Sequence, residues 1–277
     1  MAITSIAKSR VFKDFPTLKL KISHGGGSVP YQIGRWRAHR IGIQSTIDSA
    51  LKKSEQDVET AKIMNVAGVK FAVLGNEERN SGDTARRMGN EFLFQQLCQE
   101  NIANFQVCNV KKIVTICPHT YNTFKHEYPE FGLEAEVYHH TELIWTWIQE
   151  GRIRPTKEVE EAVAYHDSCY IGRYNDIFDI PRLILQSIPG VEIREMQRHK
   201  QDSMCCGAGG GMMWMEETQG KRVNLERTEQ ALRLNPTTIG TNCPYCLTMM
   251  SDGTKAKEVE ESVKTLDIAE IVEKSLV

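Results

Sequence analysis

Along this chain, short apolar runs alternate with longer stretches in which apolar residues return every three or four positions. Phe71-Ala72-Val73-Leu74, Lys112-Ile113-Val114-Thr115, Ala162-Val163-Ala164-Tyr165 and Thr238-Ile239-Gly240-Thr241 have the length and content of strands. Residues 134–138, 192–194 and 263–266 read the same way, and helical periodicity covers 85–99, 141–149, 182–188, 217–232 and 268–274. Strands taken in turn with helices predict an α/β fold with parallel sheets.

The pattern also repeats. An offset of about 126 residues carries Cys243-Pro244-Tyr245-Cys246 back onto Cys117-Pro118-His119-Thr120, each behind a strand-like run. Nearly the same offset carries Cys205-Cys206-Gly207 onto Asn80-Ser81-Gly82, and Cys169 onto Ile43. Three landmarks in register predict a duplicated domain. The division expected is a basic extension over 1–40, a first copy over 41–155 and a second over 156–277. In both copies the marked residues fall just beyond a strand's carboxyl end, where open α/β sheets bind ligands.

Charge sets the extension apart. Eight Lys and Arg against Asp14 alone leave residues 1–40 at +7, so the total of −2 requires −9 from the rest. Such a leader reads as a tail jointed at Gly25-Gly26-Gly27-Ser28, or as a docking arm for an acidic surface. An acidic body without a reader motif argues against nucleic acid. No apolar run approaches a membrane span, and the first residues lack a signal-peptide core, so the cytoplasm is the expected compartment.

In a reducing compartment, cysteines point to metal or redox chemistry rather than to structural disulfides. Thirty-five residues separate Cys169 from Cys205-Cys206, and thirty-six separate that pair from Cys243-Pro-Tyr-Cys246. Soft thiolates gathered from three loops suit an iron–sulfur centre. Four of the five would also make a tetrahedral zinc site, and zinc stays open as the alternative. Gly207 to Gly211 fails the dinucleotide fingerprint because Met212 stands where the last glycine belongs. Those glycines instead let backbone N–H groups approach an anionic group. Met213-Trp214-Met215 reads as helix packing, and Cys98 and Cys108 read as inert. His166 and His139-His140 end strands and read as structural, although His166, three residues before Cys169, could also be a ligand, a proton relay or a hydrogen-bond partner.

These motifs resemble the cysteine-rich CCG family, found in heterodisulfide reductase and in iron–sulfur oxidoreductases that work with electron-transferring flavoprotein. Residues 165–174, Cys205 to Gly211, Met213 to Glu217 and Cys243 to Met249 carry the likeness, which extends over about 42–277. The resemblance implies two Rossmann-like CCG domains and one noncubane [4Fe-4S] cluster per chain held by Cys169, Cys205, Cys206, Cys243 and Cys246. It implies a degenerate first copy, where Ile43, Asn80, Ser81 and Thr120 replace cysteines and only Cys117 remains. Met212 departs from an arginine common in relatives. The ferredoxin-like cysteine runs and membrane portion that precede this region in larger members are absent, so redox partner subunits are expected. Those partners would be a flavoprotein or a ferredoxin-type iron–sulfur protein, with a quinone or a disulfide as acceptor and membrane association only through a partner. Two rival readings are a heterodisulfide reductase catalytic subunit and a zinc-binding or metal-free scaffold.

Overall fold

A computed structural model describes residues 19–22, 58–74, 77–215, 217 and 220–276. Among the described residues, the strands form two four-stranded parallel sheets. The first runs β2 (Phe71–Ala72), β1 (Lys19–Ile22), β3 (Lys112–Thr115), β4 (Glu136–His139). The second runs β6 (Val191–Arg194), β5 (Glu161–Tyr165), β7 (Thr238–Thr241), β8 (Lys264–Asp267). The chain divides into two compact units between His140 and Thr141.

Strand order is the same in the two sheets, and so is register. Leu20 stands opposite Ile113 as Ala164 stands opposite Ile239, making β1 the positional counterpart of β5. Lys19–Ile22 therefore sits between two strands of the first sheet, although it lies in the stretch that charge sets apart as an extension. A single offset also misplaces the partner of Cys169. β5 ends at Tyr165, just ahead of Cys169, whereas β1 ends at Ile22, far upstream of Ile43. Connections of unequal length break the offset, because loops absorb insertions that strands cannot. Ile43 and the Gly25-Gly26-Gly27-Ser28 joint lie outside the described residues.

β3 and β7 are buried at nearly every position, which fits the short, mainly apolar runs they make in the sequence. All four residues of β7 are buried. In the first unit Phe94, Cys98, Phe105, Ile113, Phe124 and Tyr128 share one core. Phe105 meets Phe124 edge-on at 5.6 Å and 76°, a favoured aromatic geometry. In the second unit Ala164, Met196, Ala231, Ile239 and Met250 pack together.

Helix boundaries follow caps more than periodicity. The helix expected over 85–99 is two, α1 (Asp83–Arg87) and α2 (Glu91–Val107). Gly89 turns the chain between them at φ 82°, and the Asn90 side chain accepts from Leu93 N at 3.1 Å. Next come α3 (Pro118–Asn122), α4 (His140–Gln149) and α5 (Asp179–Gln186). The helix expected from Glu217 begins only at Val223, as α6 (Val223–Leu232). Gly220 holds φ 71° ahead of it, and the Glu217 carboxylate accepts from Val223 N at 3.1 Å. Glu217 thus caps a helix that periodicity assigned it to. α7 (Pro244–Ala256) and α8 (Ile268–Ser275) complete the second unit, the latter opened by a capping box of Asp267 and Glu270.

A candidate thiol cluster at the carboxyl edge of the second sheet

Each of the five marked cysteines is placed by a local feature of its own. β5 leads through His166-Asp167-Ser168 to Cys169, whose carbonyl accepts from Arg173 N at 2.9 Å and so opens a tight turn. Asp167 ties that turn down. Its buried carboxylate takes both Arg182 Nη groups, at 2.8 and 2.9 Å, and the Lys200 N–H at 2.8 Å. Arg182 also donates to Glu195 at 2.9 Å and lies 5.0 Å from the Tyr165 ring centre. One ion-paired arginine thus joins the Cys169 loop to the segment leading to Cys205.

At Cys205-Cys206-Gly207 the chain turns through Gly207, at φ 88°. A left-handed residue here lets its N–H point back to Cys205 Sγ, at 3.3 Å. Any side chain would also crowd Val223, since a Cβ on Gly207 falls 3.1 Å from that residue's Cβ. Cys243 is the N-cap of α7 with extended backbone, and Pro244 takes the first helical position, where its missing N–H costs nothing. The Cys-Pro-x-Cys spacing then sets Cys246 three residues along, on the same face of the first turn.

These loops bring the five thiols into one group. Each thiol shifts the titration of a neighbour, Cys169 with Cys205, Cys205 with Cys206, Cys206 with Cys246 and Cys246 with Cys243. In space, Cys169 and Cys205 line one small cavity, and the sulfurs of Cys206 and Cys246 lie within 4.8 Å of each other. Cys206, Cys243 and Cys246 are buried, while Cys169 and Cys205 are half-buried, and none is in a disulfide. Crowding sorts their protonation. Hydrogen bonds from Cys169, Cys206 and the Gly207 N–H hold Cys205 well below the usual thiol range. Its hydrogen bond and charge, together with burial, push Cys169 and Cys206 upward. Hydrogen bonds with Cys206 and Cys243, again with burial, push Cys246 up. A bound cation reverses that logic, because each ligand must then lose its proton.

A soft-metal group fits this donor set, and the surroundings agree. Among the described residues, buried Ser168 Oγ and Thr241 Oγ1, and both polar atoms of the buried Asn242 side chain, have no hydrogen-bond partner. Each lies within two residues of Cys169 or Cys243. Unpaired buried polar atoms call for an explanation, and a group bound at the thiols would supply one here.

Two residues at this site carry no cysteine signal. His166 is buried against the thiols, with a ring nitrogen and the sulfurs of Cys206 and Cys246 all within 4.8 Å of one another. Burial and the Arg227 charge lower its pKa to about 3, so the ring is neutral. Arg227, on α6, has 0% exposure. It donates to His166 Nδ1 at 3.0 Å, Arg198 O at 2.8 Å, Gln230 Oε1 at 3.0 Å and Ser203 Oγ at 3.3 Å. Sequence reading passed over Arg227, since a cation on a polar helix gives no sign of facing inward. The Met213-Trp214-Met215 run lies in a 3-10 segment, Gly209–Trp214, and its end, with Trp214 and Met215 exposed. It does not pack as a helix face.

The first copy keeps the framework without the thiols. Cys117 is the buried N-cap of α3 with Pro118 following, and Thr120 is buried on its first turn. Gly82, at φ 81°, donates to Asn80 Oδ1 at 2.8 Å, as Gly207 donates to Cys205 Sγ. The turn is the same, with an amide oxygen in place of sulfur. Ser81 is buried beside it. Asp83 pairs with His119 Nδ1 at 2.9 Å and with Arg87 Nε at 3.1 Å, closing this corner with an ion-paired network. His139 is buried, with Nε2 3.3 Å from Ile116 O. Cys98 and Cys108 lie apart on and after α2, and burial pushes Cys98 up to about 12.

Fold and site together define a thiol-gathering α/β protein with one complete cysteine set and one reduced copy. The chain belongs to the cysteine-rich domain family, CCG, whose model matches residues 46–125 and 163–251. It is 55% identical over 236 residues to a probable iron-sulfur-binding oxidoreductase, FadF, of Bacillus subtilis, covering 85% of this chain and 33% of that protein. It is 46% identical over 222 residues to the EtfAB:quinone oxidoreductase of Syntrophomonas wolfei, covering 78% and 31%. To one subunit of the dihydromethanophenazine:CoB–CoM heterodisulfide reductase of Methanosarcina barkeri it is 32% identical over 223 residues, covering 78% and 54%. The matched region is thus a third to a half of these relatives.

Proposed function

We propose that this chain is the electron-transfer part of an iron–sulfur oxidoreductase. In this reading the two sheets are duplicated Rossmann-like CCG copies, and Cys169, Cys205, Cys206, Cys243 and Cys246 hold one noncubane [4Fe-4S] cluster in the second. When bound, such a cluster accepts and releases electrons one at a time. The chain's own residues keep the thiols together, supply the Gly207 N–H and exclude water from the buried three. The observation that carries the reading is the convergence of the thiols from three loops, with Cys169 and Cys205 lining one cavity and the Cys206 and Cys246 sulfurs within 4.8 Å of each other. Zinc would leave one of the five without a role.

Electrons would pass from a flavoprotein or ferredoxin-type subunit to a quinone or disulfide. The name of the Bacillus relative supports an iron–sulfur oxidoreductase, that of the Syntrophomonas relative a quinone acceptor and an EtfAB partner, and that of the Methanosarcina relative a disulfide. The degenerate copy would hold no cluster, because Asn80, Ser81 and Thr120 put harder amide and hydroxyl groups where soft thiolates are needed. Among the described residues no helix is long and apolar enough to cross a membrane. A cytoplasmic place, with a membrane reached through partners, is part of the proposal.

The test is iron, acid-labile sulfide and zinc per chain after anaerobic purification. About four irons and four sulfides are expected, lost in Cys205→Ala and Cys243→Ala and kept in Cys117→Ala. Roughly one zinc without iron would leave a scaffold subunit. A reduced cluster that is reoxidised by a disulfide would select the heterodisulfide reductase reading.

A further inference from the structure

His166 stands where a sixth ligand could be imagined, since its ring nitrogen shares a 4.8 Å neighbourhood with Cys206 and Cys246. Its other partner decides the matter. Arg227 Nε donates to His166 Nδ1 at 3.0 Å. A guanidinium does not give up its protons inside a protein, so the Nδ1 lone pair is always engaged. The one ring proton of a neutral imidazole must then sit on Nε2, which leaves neither nitrogen with a free lone pair for a metal. The arginine is itself held by Arg198 O, Gln230 Oε1 and Ser203 Oγ, so it cannot turn away without stranding a buried charge.

Resting on the cluster reading above, we infer that His166 is a positioning residue. Its tautomer is locked by Arg227 so that an N–H, and no lone pair, is what the ring can offer the nearby Cys206 and Cys246, and it does not bind iron or zinc. Arg227 adds a fully buried positive charge beside the same sulfurs, which are among the charges it senses. Thiolates crowded together with three of the five closed in need such compensation. Hydrogen bonds and positive charge at the sulfurs favour the reduced, more negative state, so the pair raises the potential of whatever the thiols hold.

The experiment uses the full chain, loaded anaerobically and labelled with 15N at histidine. Pulsed EPR of the paramagnetic redox state should show only the weak nitrogen coupling of an N–H near sulfur. Redox titration then compares the wild type with His166→Leu, Arg227→Met and Arg227→Lys. Iron and sulfide per chain should hold in all four. At the wild-type midpoint the oxidised-to-reduced ratio should rise about tenfold in His166→Leu and Arg227→Met, a shift of about 59 mV to the negative for one electron. Arg227→Lys, which keeps the charge, should recover part of the shift. Strong nitrogen coupling in the wild type, which needs no variant to fold, overturns the inference by showing a bonded histidine. Unchanged midpoints in loaded variants overturn it as well. A wild-type chain without iron and sulfide would instead overturn the proposed function.

Discussion

Asp83 is a carboxylate almost closed off from water, and burial alone would raise its pKa. The His119 hydrogen bond and charge, with the Arg87 guanidinium, outweigh burial and hold it below the usual carboxylate value. A depressed folded value contributes stability above the unfolded pKa and loses it as pH falls through the folded one. Asp83→Asn should therefore weaken the first unit by about 2–3 kcal/mol at neutral pH, the scale of hydrogen bonds to a charged group. The deficit should shrink as acid falls below about pH 4, the ordinary Asp value, and urea titrations at several pH values would show it. Arg182 is a second residue of this kind, 8% exposed against 5% for Asp167 at the side chain. Its removal leaves Asp167 buried and unpaired, so Arg182→Ala should cost the second unit about 3–5 kcal/mol. Denaturation midpoints would measure that cost, and metal content should fall with them as the Cys169 loop loosens.

Among elements, α6 and α7 meet most closely at Gly253. A Cβ there would fall 1.9 Å from Thr228 Oγ1 and 2.8 Å from Thr228 Cβ. Gly253→Ala should separate the two helices and destabilise by about 1–3 kcal/mol, as overpacking does. The double variant with Thr228→Ser keeps the hydroxyl clash and should gain little, whereas Thr228→Gly should restore much of the loss. The same elements show what periodicity can tell. β3 and β7 were legible residue for residue, because a strand buried on both faces is a plain apolar run. The start of α6 was not. The stretch before it has the composition of a helix, and only Gly220 and the Glu217 carboxylate decide where the first turn begins. α1 and α2 were read as one for a like reason, since a left-handed glycine between two helices leaves their combined periodicity intact.

For the whole chain, the five cysteines stood out in the sequence because thiols in this spacing have few other uses. Arg227, Asp167 and Arg182 were not, because the sequence of a charged residue does not say that it is buried. The place of Lys19–Ile22 in the first sheet was also hidden, since two of its four residues are lysines and the connection that follows is longer than its counterpart. If metal supports only the second unit, chelation under anaerobic conditions should speed amide exchange in β5 and β7 and leave β3 unchanged, because binding energy appears where the ligands are. Hydrogen-exchange mass spectrometry resolves those strands. The five sulfurs are also unequal in exposure, with Cys169 and Cys205 half-buried and the other three closed in. Among the described residues, the way in is therefore past those two sulfurs. Iron, alkylating reagents and dioxygen would all meet the same two atoms first, so a chain that loads quickly would also be one that oxidants damage quickly, its working life set by what stands before that door.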